Sequence, residues 1–214
     1  FSPDDRVMIV APHPDDEILG CGGVIQRALA TNAQVRIAFL TYGDNNEWSF
    51  MLYRKHPVLD PDAVRKMGLL RRDEAIAADG RLGLHPQSLV FLGYPDCGTL
   101  NIWNTHWGRS PAFRSLLSKA TAVPYENAYR PGARYKGEEI VKDLTDILRS
   151  FRPTKLFLSH PADCNVDHRA AYLFTQVALW NLEGELRPEV LPYLVHFRKW
   201  PARTSTLPAK PLEP

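Results

Sequence analysis

The sequence predicts an α/β fold, a Rossmann-like three-layer α/β/α sandwich with a mostly parallel sheet and long loops at its rim. Two observations carry that expectation. Apolar runs alternate with stretches of helical periodicity along the chain. The runs are continuous in their apolar character, as in strands covered on both faces, and right-handed crossovers then give a doubly covered sheet.

The elements follow in order. Residues 7–11 read as a strand, and 17–30 as a helix with Ile18, Cys21, Ile25, Ala28 and Leu29 on one face. Residues 35–41 form a second apolar strand, followed by a polar, aromatic stretch from Gly43 to about Pro61. Val64, Met67, Leu70 and Leu82 mark a helix over 62–82, and 88–92 is a third strand. The segment 93–134 is rich in Gly, Pro, Asn and Trp and reads as long loops with one short helix. Ile140, Val141, Leu144, Ile147, Leu148 and Phe151 recur at helical spacing over 137–151. A strand at 155–159, a helix at 168–182 and a last strand at 191–197 complete the pattern. Loops of such length in a compact domain usually carry function.

Composition sets bounds. The 214 residues suffice for one sizeable core, so residues 1–214 are expected to form a single domain. A net charge of +2 gives no nucleic-acid or membrane footprint, and no apolar stretch approaches a membrane span. The three cysteines, Cys21, Cys97 and Cys164, are odd in number and far apart, which argues against a disulfide framework and towards a reducing, cytoplasmic compartment. Oligomeric state is left open.

Chemistry concentrates where strands end. His13-Pro14-Asp15-Asp16-Glu17 follows the first strand, and Asn165-Val166-Asp167-His168 follows the strand at 155–159. In open α/β sheets the carboxyl ends of strands are where ligands bind. Catalytic zinc takes three protein ligands from His, Cys and carboxylate, and His13, Asp16 and His168 supply such a set. Asp15, pointing differently from Asp16, is then placed as a general base. A plainer reading also exists: Asp15 and Asp16 cap the helix at Glu17, and Asp167 caps the helix that contains His168.

Ala11-Pro12-His13-Pro14-Asp15-Asp16-Glu17, followed by Gly20-Cys21-Gly22-Gly23, resembles the signature of the PIG-L/LmbE-like deacetylases. Arg71-Arg72-Asp73-Glu74 through Leu82-Gly83, Phe91-Leu92-Gly93-Tyr94-Pro95-Asp96 and His160 to Tyr172 resemble further family segments in the same order. The resemblance implies a zinc-dependent hydrolase that removes the acetyl group from an N-acetylglucosamine-type sugar or glycoconjugate. It implies Zn2+ on His13, Asp16 and His168, Asp15 as general base, and Arg71 and Asp96 on sugar hydroxyls. Read without the family, Arg71 is a solvated helix charge and Asp96 a turn residue. Alternative functions are an amidase for another N-acyl or thiol-conjugate substrate, and a non-catalytic carbohydrate-binding relative.

One departure stands out. The family's second motif is usually His-x-Asp-His, with the first His oriented by the Asp, and this chain has Asn165 in its place. The resemblance therefore assigns the catalytic positions to Asp15, Asn165 and Asp167. An Asn carboxamide donates a hydrogen bond to an oxyanion but cannot protonate a departing amine. That leaves Asp15, His160 or His196 for the proton. Tyr42, Asn45, Asn46, Trp48, Trp103, Asn104, His106 and Trp107 either line a sugar site or anchor the loops to the core.

Overall fold

The computed structural model describes residues 1–45 and 60–197. Its strands are β1 (Arg6–Ala11), β2 (Gln34–Thr41), β3 (Leu89–Tyr94), β4 (Lys155–Ser159) and β5 (Glu189–Tyr193). Its helices are α1 (Asp16–Ala30), α2 (Pro61–Leu82), α3 (Thr99–Thr105), α4 (Gly137–Phe151) and α5 (Val166–Trp180). The strands form one sheet in the order β3-β2-β1-β4-β5, and every pairing is parallel. The all-parallel sheet agrees with the strand–helix alternation read from the sequence.

The central strand explains the continuous apolar run. Val7, Met8, Ile9, Val10 and Ala11 are all fully buried, because helices cover both faces of β1. α1 packs on β1, β2 and α2, while α5 packs on β1, β4, α3 and α4. Right-handed crossovers running in opposite directions from β1 put these two groups on opposite faces. Local signals set the helix ends. Asp60 caps α2 by accepting from the Asp62 amide, Pro61 opens the helix, and Gly83 closes it at φ 99.

Where strand and helix bounds differ from the expectation they shift by one to four residues, and two of the shifts have a local cause. The last strand was expected over 191–197 but spans Glu189–Tyr193. The amides of Val195 and His196 leave the ladder and donate to Asp163 Oδ2 at 3.2 and 3.0 Å. α5 starts at Val166, ahead of the expected 168, because Asn165 takes the capping position and accepts from the Asp167 amide at 2.8 Å. Asp167 is not the cap.

The long segment after β3 is tied down by its aromatic side chains. Trp103 and Trp107 pack on Phe174 of α5 with ring centroids 5.1 and 5.9 Å apart. Tyr42 is fully buried and stacks on Tyr125 at 4.0 Å. These three side chains anchor loops to the core, and none lines the cleft described below. Asn46 and Trp48 lie outside the described residues. Cys21, Cys97 and Cys164 are free thiols. No helix among the described residues is long and apolar enough to cross a membrane.

Candidate metal centre

Strand order brings the two clusters together. From β1 the chain steps through β2 to β3, then returns to place β4 on the other side of β1. Val10 pairs with Leu158, so the ends of β1 and β4 lie side by side. Ligands bind at this kind of reversal in open α/β sheets. A cleft of about 330 Å³ opens there, lined by His13, Asp15, Asp16, Leu19, Arg71, Asp96, Asn165 and His196. A larger cavity of about 480 Å³, between α2 and residues 124–127, contains none of these residues.

The buried atom at the centre is Asp16 Oδ2. It accepts from the His13 amide at 2.9 Å and lies 3.1 Å from His13 Nδ1 and 3.0 Å from His168 Nε2. The ligand atoms of His13, Asp16 and His168 all fall within 4.8 Å of one another. His168 Nε2 is buried and lacks hydrogen-bond geometry to any partner among the described residues. An unsatisfied imidazole lone pair beside a carboxylate and a second imidazole fits a divalent cation, and the two-His, one-carboxylate set suits zinc.

Behind each histidine stands a carboxylate. His13 Nε2 lies 3.2 Å from Asp167 Oδ2 and 3.3 Å from Asp96 Oδ1. His168 Nδ1 lies 3.1 Å from Asp163 Oδ2 and 3.2 Å from Ser159 Oγ. Metal-ligating histidines commonly donate their second N–H to such a group, which sets the tautomer and raises basicity. Burial works to lower the His13 pKa, but the charge of Asp96 and hydrogen bonds to Asp16 and Asp167 raise it well above the ordinary value. Burial likewise opposes ionisation of Asp16, yet the facing His13 and His168 imidazoles hold it below the usual carboxylate range. Both directions describe carboxylates poised for positive charge.

Asp15 occupies the capping position of α1 but makes no capping hydrogen bond. Its carboxylate turns to Arg71, with Oδ2 2.9 Å from Nη2. About half of the Asp15 side chain is exposed in the cleft. Desolvation raises its pKa, and the Arg71 charge works against that rise.

Arg71 is buried and hydrogen-bonded, so it is no solvated helix charge. Asp96 accepts from the Asn45 amide at 3.0 Å and lines the cleft. Asp167 is fully buried and accepts from the amides of Cys97 (2.6 Å) and Thr99 (3.1 Å) and from the Thr99 hydroxyl. Its carboxylate thus faces His13 and the start of α3. Its link to Asn165 runs through its own backbone amide instead.

His160 accepts from the Ala162 amide at 3.0 Å and is not among the cleft-lining residues. His196 does line the cleft, with Nδ1 3.4 Å from Asp163 Oδ1 and its ring edge-on to His168 at 4.7 Å. Asp163 is the residue that sequence reading missed. Its only signal was a lone carboxylate four residues after the end of β4, without motif spacing to either histidine.

A family model described as PIG-L, GlcNAc-PI de-N-acetylase, matches residues 8–179. A 1D-myo-inositol 2-acetamido-2-deoxy-alpha-D-glucopyranoside deacetylase of Kribbella flavida is 26% identical over 197 residues, covering 87% of this chain and 59% of that protein. The chain thus spans about three-fifths of the length of that curated relative. Among solved structures, the conserved protein TT1542 of Thermus thermophilus aligns with a TM-score of 0.54 at 27% identity, covering 90% of this chain and 67% of that one. The N,N'-diacetylchitobiose deacetylase of Pyrococcus horikoshii aligns with a TM-score of 0.56 at 20% identity, covering 89% and 61%. The latter likeness speaks for the fold alone.

Proposed function

Because the chain belongs to the PIG-L family of GlcNAc-PI de-N-acetylases, we propose that it hydrolyses the N-acetyl group of an N-acetylglucosamine-type amino sugar or glycoconjugate. The observation that carries this reading is a His-Asp-His donor set at the floor of a cleft, His168 buried behind it, with a separate carboxylate, Asp15, lining the same cleft. A binding module has no use for that second carboxylate.

His13, Asp16 and His168 would hold Zn2+, which when bound supplies Lewis acidity towards an amide carbonyl and a water molecule. Asp15 takes a proton from the attacking water. Asn165 has its carboxamide oxygen engaged by the Asp167 amide. Its NH2 group is therefore the part left to donate to the oxygen on which charge develops. The departing amine needs a proton, and Asp15 and His196 both line the cleft to supply it. Asp96 and the rim define where sugar hydroxyls would sit.

The test is a screen of N-acetylated sugars of increasing length, reading free amine and acetate, alongside the zinc content of the same preparation. The expected result is about one zinc per chain with acetate released from at least one N-acetylglucosamine substrate. Bound zinc with no hydrolysis of any N-acyl sugar would favour the non-catalytic carbohydrate binder. Cleavage confined to other acyl or thiol conjugates would favour the broader amidase.

A further inference from the structure

Arg71 reaches from α2 into the gap between the loops that follow β1 and β2. Nη2 donates to Pro14 O at 2.7 Å and to Asp15 Oδ2 at 2.9 Å, and Nη1 donates to Gly43 O at 3.1 Å. Gly43 sits at φ +62, and a Cβ there would overlap the guanidinium. The glycine thus serves twice, for a left-handed backbone and for the close approach of Arg71.

What Arg71 grips is strained. Asp15 has φ 144 and ψ −27, a conformation that L residues rarely adopt. Such conformations persist where the surroundings over-determine them, and they cluster at functional sites. The restraints on Asp15 are identifiable, and its carbonyl accepts from the Ile18 and Leu19 amides at 3.1 and 2.9 Å. Its amide donates to Glu17 Oε2 at 2.9 Å, and Arg71 holds both the preceding carbonyl and the carboxylate. Three of the five guanidinium N–H groups are therefore already engaged by protein oxygens.

We propose that Arg71, seated against Gly43, is a positioning residue that holds the Pro14–Asp15 peptide and the Asp15 carboxylate in their strained pose. The catalytic consequence rests on the reading of Asp15 as general base given above. A lysine cannot replace it, because one ammonium does not reach three oxygens in two loops with a planar fork.

Two measurements on the full chain test this. The first is amide hydrogen exchange without metal or substrate. Arg71→Ala is expected to speed exchange at Asp15, Asp16, Ile18 and Leu19 by on the order of tenfold, since the loop before α1 loses its clamp. Gly43→Ala, with Arg71 retained but displaced, is expected to do the same. The second is a kinetic cycle on N-acetylglucosamine. Arg71→Ala is expected to lower kcat about 100-fold at nearly constant KM, and to cost nothing more when added to Asp15→Ala. Unchanged exchange in both variants would overturn the proposal. So would a raised KM at constant kcat, or full additivity with Asp15→Ala, which mark a substrate contact. If the unmodified chain turns over no N-acetyl sugar, the deacetylase reading fails, and exchange alone still decides the clamp.

Discussion

Asp163 Oδ2 lies 3.1 Å from Nδ1 of His168, on the side of the ring opposite Asp16. The same carboxylate accepts the amides of Asn165, Val195 and His196. One buried side chain thus orients a candidate metal ligand and pins the segment after β5 to the end of β4. Hydrogen bonds from His168 and these amides overcome burial and keep Asp163 ionised to an unusually low pH.

Asp163→Asn should weaken zinc binding by about 10 to 100-fold, because His168 loses the partner that raises its basicity. Competition against a chelator of known affinity measures this. An affinity equal to that of the unmodified chain would show that Asp163 serves packing alone.

Asp15→Asn should leave zinc content unchanged and lower turnover by about 100 to 10,000-fold, the usual worth of a positioned base. Metal analysis and acetate release on one preparation give both numbers. Full activity in that variant would remove Asp15 from the mechanism.

Asn165 caps α5, and substitution can separate that role from the proposed donation to the oxyanion. Asn165→Ala removes the α5 cap, at a cost of about 1 kcal/mol, together with the amide donor. Asn165→Ser keeps a capping oxygen and loses the carboxamide NH2. Thermal melting should fall in the first and hold in the second, while kcat should drop about 100-fold or more in both. If Asn165→Ser keeps full kcat, the amide does not meet the reacting oxygen.

His196→Ala should slow turnover, while His160→Ala should leave it near the unmodified rate, since only His196 lines the cleft. Equal rates in the two variants would assign the leaving-group proton to Asp15.

Asp79, on α2, is fully buried, and neither of its carboxyl oxygens has a hydrogen-bond partner among the described residues. Burial raises its pKa from 3.8 to about 7. Burial also raises that of Glu17, and the Asp79 charge adds to the rise across the α1–α2 contact. The folded state therefore holds a proton on Asp79 that the unfolded chain has already released. The stability this confers is complete below about pH 4 and is lost as pH rises through 7. Asp79→Asn should remove that loss, raising Tm at pH 8 relative to pH 5 by a few degrees against the unmodified chain. An identical pH dependence in both proteins would show that Asp79 titrates normally.

Much of this was legible in the chain itself. Val7–Ala11 reads as a buried strand because every residue is apolar, and α4 reads as a helix because Ile140, Leu144 and Leu148 recur on one face. His13, Asp16 and His168 were candidates because two polar clusters follow two such strands. Errors came where side chains compete with backbone pairing. Val195 continues an apolar run, yet its amide and that of His196 choose the Asp163 carboxylate. Trp103 and Trp107 suit a sugar face by composition, but Phe174 offers them an apolar surface to cover.

Local pattern in the chain accounts for the alternation of elements, the strand-end placement of the metal-competent residues and the departure at Asn165. These follow from local periodicity and spacing within a few residues. The folded arrangement alone sets β4 beside β1, which imidazole nitrogen faces which carboxylate, and the grip of Arg71 on a strained Asp15. Those relationships join residues far apart in the chain, and local pattern carries no information about which distant partner a side chain will meet.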